Sequence, residues 1–107
     1  MLQSSRLSLQ AVLETANSEI SGGDPRQIGE GTLAVVGVLA ENVGLRKALA
    51  DSSESAERKQ QLLRTLFSTR ISDAALRISD KAVGHRWART QGLVTSLQVA
   101  GVTAGAA

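Results

Sequence analysis

The stretch that decides the fold is residues 24–43, DPRQIGEGTLAVVGVLAENV. It opens with Asp24, whose carboxylate can accept hydrogen bonds from the free N–H groups of a first helical turn. Pro25 follows at the first helical position, where its missing N–H costs nothing. After it, apolar residues and one threonine recur at three- and four-residue spacing: Ile28, Thr32, Val35, Val36, Leu39 and Val43. We therefore predict a central helix that begins near residue 25.

The rest of the chain divides into segments with the same periodicity. Leucine, isoleucine, valine and alanine recur at helical spacing in residues 2–20, 43–50, 54–67 and 71–84, and again from about residue 86. Glycine, serine and aspartate separate these segments, and none alternates apolar and polar residues as a strand does. The sequence therefore predicts an all-α fold, a compact bundle of five to six short helices.

Four details of this bundle are expected from the pattern. Gly29, Gly31 and Gly37 lie inside a predicted helix, where glycine is unfavourable, so we expect another helix to approach closely there. The apolar stripe of residues 54–67 is expected to be Leu62, Leu63, Leu66 and Phe67. Trp87 is expected in the core or wedged between helices, and His85 at a helix end. The small residues 101–107 are expected to fray or to begin a linker.

Composition argues against an enzyme. The 107 residues contain no Cys, no Tyr and one His, so a disulfide, a thiolate zinc site and a histidine-rich metal site are excluded. No phosphate-binding glycine loop is present, and no two carboxylates are paired by spacing. We therefore expect no catalytic residues, no metal and no cofactor. The longest apolar run is residues 33–40, too short for the roughly twenty residues of a membrane span, so we expect no direct membrane insertion.

Charge is divided unevenly along the chain. Residues 1–57 carry a net charge of −4 and residues 58–107 a net charge of +6. Two interpretations stay open at this point: the halves fold against each other, or the second half presents a basic face to an acidic partner. An all-α nucleic-acid-binding module would use Arg58, Lys59, Arg64, Arg70, Arg77, Arg86 and Arg89.

The first and fifth segments carry more small apolar surface than one neighbour needs. Such surplus on two helices can form a groove for an amphipathic helix of another protein, or can simply be core. The pattern alone leaves both open.

The order of several motifs resembles a known family. Residues 39–51, LAENVGLRKALAD, and residues 56–67, AERKQQLLRTLF, resemble two consecutive stretches of the delta subunit of F-type ATP synthases. The mitochondrial counterpart of that subunit is the oligomycin-sensitivity-conferring protein. Residues 71–77, ISDAALR, and residues 82–88, AVGHRWA, resemble the next helix and its ending in actinobacterial versions.

The resemblance implies a non-catalytic component of the peripheral stalk, located at the cytoplasmic face of the cell membrane as part of the ATP synthase complex. In this family the N-terminal domain is a six-helix bundle on top of the catalytic head, and its first and fifth helices hold the N-terminal helix of an alpha subunit. The linkage resists rotor torque during proton-driven ATP synthesis. By position, the partner-binding groove would comprise Ser8, Ala11, Val12, Thr15, Ala74, Ala75, Ile78, Lys81 and Ala82.

The resemblance also sets the expected domain organisation. Residues 1–100 would form the alpha-subunit-binding helical domain, and residues 101–107 a frayed tail or the start of a linker to a C-terminal domain. The resemblance implies that this C-terminal domain, which binds the b subunit in the family, is not included in these 107 residues. We expect no nucleic-acid partner and a monomer in isolation. The sequence departs from the family in lacking its early tyrosine, near whose place Ser8 stands.

Overall fold

The computed structural model describes residues 3–51, 53–85, 87 and 89–106. It contains six α-helices: α1 (Gln3–Gly22), α2 (Pro25–Glu41), α3 (Val43–Ala50), α4 (Ala56–Phe67), α5 (Asp73–Gly84) and α6 (Thr90–Ala106). No strand occurs among the residues that the structure describes. The prediction of an all-α bundle is therefore confirmed. Position 2, where the first helix was predicted to begin, lies outside the described residues.

The N-terminal caps follow the sequence signals. The Asp24 carboxylate accepts hydrogen bonds from the backbone N–H groups of Arg26, at 3.1 Å, and Gln27, at 3.5 Å, so that α2 begins at Pro25. Three more helices begin with a side-chain cap, from Asn42, Ser55 and Ser72. These bonds satisfy donors that have no partner within a helix, and they fix where each helix starts.

The most extensive helix pairing in the bundle joins α2 to α6. A methyl group at Gly29 would lie only 2.8 Å from the backbone nitrogen of Gly105 and 2.9 Å from the backbone oxygen of Gly101. At Gly31 it would lie 2.8 Å from the Cβ atom of Ala75 in α5. The expected close approach is thus confirmed at these two glycines. It is wrong for Gly37, which is exposed and would have no atom within 4 Å of an added methyl group.

The C-terminal residues are ordered helix rather than a frayed tail. α6 continues to Ala106, and Ala100, Gly101 and Ala104 are buried. The helix thus includes residues 101–106, where the sequence predicted a frayed tail or the start of a linker, while residue 107 lies outside the described residues. The physical reason is that glycine and alanine allow α6 to lie directly against α2, so small residues that look featureless in sequence form part of the interface.

The apolar stripe of α4 is narrower than predicted. Leu63 and Phe67 are buried, but Leu62 is 37% and Leu66 39% exposed. α4 packs mainly against α5 and lies at the edge of the bundle, so only one flank of the helix is covered. Lys59, which lies outside the predicted apolar stripe, is buried at 5% exposure.

Polar contacts reinforce the pairing of α4 with α5. Arg64 donates two hydrogen bonds to the Oδ2 atom of Asp80, at 3.0 and 2.8 Å. Gln60 donates from Nε2 to the backbone oxygen of Asp80, at 2.9 Å. Three hydrogen bonds therefore join α4 to α5 at Asp80.

Trp87 lies in the core, as predicted. It is 6% exposed, and its indole N–H donates a 2.8 Å hydrogen bond to the backbone oxygen of Ala82 near the end of α5. That carbonyl also accepts the backbone N–H of His85, at 3.2 Å. The indole therefore anchors the turn that follows α5 to the body of the bundle.

Candidate partner-binding seam between α1 and α5

Most of the predicted groove residues lie in the core. Val12, Ala75, Ile78 and Ala82 have no exposed surface, and Ser8 is 4% exposed. Through this set α1 and α5 pack against each other and against the rest of the bundle. These five residues support the walls of the predicted site from below and do not line an open channel.

The other four predicted residues reach the surface. Ala11 and Thr15 on α1 and Ala74 on α5 are half-buried, and Lys81 on α5 is exposed. We call these four residues the α1–α5 seam. The Thr15 hydroxyl donates a 3.0 Å hydrogen bond to the backbone oxygen of Ala11, so its polar group is satisfied within α1. Apart from Lys81, the seam therefore presents small side chains with no unsatisfied hydroxyl.

An ion pair joins the two helices beside the seam. Arg77 of α5 donates two hydrogen bonds to the Glu19 carboxylate of α1, at 2.9 and 2.7 Å. This contact shows which edge of α5 faces α1. Sequence reasoning anticipated pairing between the acidic and basic halves but did not identify these two residues, because 58 positions separate them.

The ion pair changes the acidity of both partners. The hydrogen bond from Arg77 lowers the pKa of Glu19, although partial burial of the carboxyl opposes this effect. The same hydrogen bond raises the pKa of Arg77. Both groups are therefore charged near neutral pH, and the contact holds α1 to α5 under ordinary conditions.

A large apolar side chain extends this surface on α1. Leu7 is 57% exposed and lies one helical turn before Ala11, on the same side of the helix. It was not among the predicted site residues. Its exposure could not be read from the sequence, where it is simply one more leucine in a helical segment.

The described residues contain no group of three or more His, Asp or Glu side chains that could hold a metal ion. His85 follows the last turn of α5, where burial and then the nearby charge of Lys81 lower its pKa.

The basic residues do not form one open face. Arg58, Arg64 and Arg77 are paired with Glu54, Asp80 and Glu19 respectively. Lys59 is buried. Arg70 and Arg89 are exposed, and Arg86 lies outside the described residues. Pairing and burial therefore disfavour the nucleic-acid interpretation, which needs free cations on one surface.

Among the described residues, no single helix has both the length and the hydropathy to cross a bilayer. α2 and α3 meet that requirement only when counted together, and they are bent by 112° relative to each other.

Comparison with known proteins identifies relatives of the whole bundle. The chain is 30% identical to ATP synthase subunit delta of Thermobifida fusca over 100 residues, 94% of this chain and 37% of the relative. It is 35% identical to the Acidothermus cellulolyticus subunit over 75% of this chain and 29% of the relative. For the Kineococcus radiotolerans subunit, identity is 36% over 78% of this chain and 31% of the relative. No model of a protein family matches the chain. The chain spans about a third of the length of these three relatives. Their similarity to it shows that the chain is a homologue of the ATP synthase delta subunit.

Proposed function

We propose that the chain is a non-catalytic stator component of an F-type ATP synthase, and that it binds the N-terminal helix of an alpha subunit at the α1–α5 seam. The observation that carries the proposal is the homology to delta subunits over 94% of the chain. The all-α bundle and the surface position of Ala11, Thr15 and Ala74 support it. In this role the chain transmits mechanical resistance and performs no chemistry.

The proposed place of the chain is on the catalytic head, at the cytoplasmic face of the cell membrane, as a peripheral part of the complex. There it would help the stator to resist rotor torque during proton-driven ATP synthesis. Contact with the b subunit belongs, in this proposal, to the C-terminal domain known in the family, which lies outside these 107 residues.

The seam has the physical properties that a docking helix requires. Alanine side chains on both helices let a third helix approach closely, as ridges fit into shallow grooves. Burial of Leu7, which is 57% exposed, would contribute about 1 kcal/mol or more of hydrophobic free energy. Fully buried residues such as Val12 and Ile78 hold the two walls together, so binding need not order them first.

The proposal is tested with a peptide that carries the N-terminal segment of the alpha subunit of Thermobifida fusca. Isothermal titration calorimetry is expected to show saturable binding at micromolar concentrations. Ala74→Glu places a longer, charged side chain in the seam and is expected to weaken binding strongly. Ala48→Glu is the matched control, because Ala48 is exposed on α3, which packs against α2, α4 and α6.

Both variants are expected to keep the far-UV circular dichroism of the parent, since neither alanine is fully buried. Absence of any heat of binding at high-micromolar peptide would overturn the proposal, as would equal loss in the two variants. Ile78 is a poor position for this test, because it has no exposed surface and a charge there would unfold the bundle.

A further inference from the structure

The outer side of α6 is as free of charge as its inner side. The inner side packs into the bundle through four fully buried residues: Leu93, Leu97, Ala100 and Ala104. On the opposite side four more residues recur at spacings of four, three and four: Thr95, Val99, Val102 and Ala106. None of residues 90–106 is charged, although Asp, Glu, Lys and Arg make up 21% of the chain. A helix without a charged side is typical of a protein interior, so α6 has the sequence of a helix that is covered all round.

α2 continues this surface beside α6. The side chain of Leu33 lies directly on the backbone of α6, since a methyl group added to Gly101 would be 2.7 Å from the Cγ and Cδ2 atoms of that leucine. Leu33 is nevertheless 39% exposed, and Val99 and Val102 on α6 are 37% and 57% exposed. Ala106 is exposed as well. We call Leu33, Val99, Val102 and Ala106 the α2–α6 face.

Charged residues border this face only at the two ends of α2. Residues 31–40 of α2 are uncharged. Glu30 precedes them and pairs with Arg26, at 3.3 Å, and Glu41 is the last residue of the helix. A partner for the face must therefore be apolar and uncharged where it makes contact, because it would otherwise bury an unpaired charge.

The size of the face distinguishes two kinds of partner. α2 and α6 have 17 residues each. Two such helices side by side, each about 25 Å long and about 10 Å wide, present at most about 500 Å². Both partners together would bury about 1,000 Å², less than the roughly 1,200–2,000 Å² of a stable complex between separate molecules. That area falls within the roughly 600–1,500 Å² of contacts between domains of one chain, where covalent linkage compensates for a small interface.

The relatives contain polypeptide that could make such a contact. Most of the length of each of the three delta subunits lies outside the region that matches this chain. We propose that the α2–α6 face packs against an apolar surface in that remaining part of a delta subunit. The contact fixes the orientation of the bundle relative to the rest of the subunit, which a stator that resists torque requires. The proposal depends on the homology and not on the alpha-subunit contact at the seam.

The test is a chimera in which this chain replaces the matching 100 residues of the Thermobifida fusca delta subunit, with any cysteines of the Thermobifida fusca part changed to serine. The chain itself has no cysteine, so Val102→Cys introduces one thiol whose rate of reaction with a maleimide dye reports its exposure. If the contact is open for a tenth of the time or less, Val102→Cys reacts at least about tenfold more slowly in the chimera than in the 107-residue chain. Thr65→Cys, exposed on α4, is the matched control and is expected to react equally fast in both.

A second variant shows whether the face itself makes the contact. Val102→Asp puts a charge on the face, and it is expected to restore fast labelling of Val99→Cys in the chimera while the far-UV circular dichroism stays unchanged. If the chimera does not fold, labelling is measured on the 107-residue chain mixed with an excess of the remaining Thermobifida fusca polypeptide, and the same slowing at Val102→Cys is expected.

Equal labelling of Val102→Cys with and without the added polypeptide would overturn the proposal. Slow labelling of the 107-residue chain alone that becomes faster on dilution would also overturn it, because a second copy of the chain would then cover the face. If Val102→Cys is protected but the alpha-subunit peptide does not bind, this proposal stands and the proposed function fails. Binding of that peptide without protection of Val102→Cys gives the opposite result.

Discussion

Replacing Gly29 by alanine measures how closely α2 and α6 are packed. The added methyl group would meet backbone atoms at 2.8, 2.9 and 3.0 Å, all of them in Gly101 and Gly105. Ordinary contacts of this kind are about 3.5–4 Å, so the two helices would have to separate by several tenths of an ångström. Backbone cannot rotate away as a flexible side chain can. Overpacking of this type costs about 1–3 kcal/mol.

Gly37→Ala is the control, because it makes the same change in the same helix with no atom within 4 Å of the new methyl group. Both variants gain the helix propensity of alanine over glycine, about 1 kcal/mol, so this contribution cancels in the comparison. We expect Gly37→Ala to be more stable than the parent, and Gly29→Ala to lie about 1–3 kcal/mol below Gly37→Ala. Urea unfolding followed by circular dichroism measures both. Equal stabilisation of the two variants would refute the close packing of α2 on α6.

Two further predictions concern single contacts. Trp87→Phe removes the 2.8 Å hydrogen bond to the Ala82 carbonyl but leaves that carbonyl bound to the His85 N–H. We therefore expect the free energy of unfolding, measured by thermal denaturation, to fall by about 1–2 kcal/mol. An unchanged free energy of unfolding would contradict the anchoring role. The pKa of Glu19 is lowered in the folded state, so its contribution to stability is complete above the unfolded pKa, near 4.5, and is lost as pH falls through the folded pKa. In the Glu19→Gln variant, the urea concentration at the midpoint of unfolding is expected to fall less steeply as the pH is lowered. An unchanged slope would show that the pair does not stabilise the bundle.

Local signals made the helix boundaries predictable. Asp24 followed by Pro25 marks the start of α2, and Ser72 marks the start of α5, because the hydrogen bonds of a cap involve residues only two or three positions away. Gly84 likewise ends α5 where expected. The end of α1 was predicted less accurately: the apolar periodicity ends at residue 20, whereas Ser21 and Gly22 are still helical.

Burial was harder to predict because it depends on which helices become neighbours. Leu62 and Leu66 continue a leucine stripe, yet the position of α4 at the edge of the bundle leaves them more than a third exposed. Conversely, Ala104 looks like part of a tail but is fully buried. Periodicity identifies the side of a helix that is apolar, and only the packed structure shows how wide a strip of that side is covered.

The candidate site shows why function needed both kinds of information. The apolar surplus on the first and fifth helices left both groove and core open. The structure places Ile78 in the core, whereas Ala74 reaches the surface. In the proposed function, the buried group holds the two walls together and the half-buried group offers the contact to the partner helix. A seam of this kind needs both, since surface alanines can position a partner helix only if the helices that carry them are held firmly together.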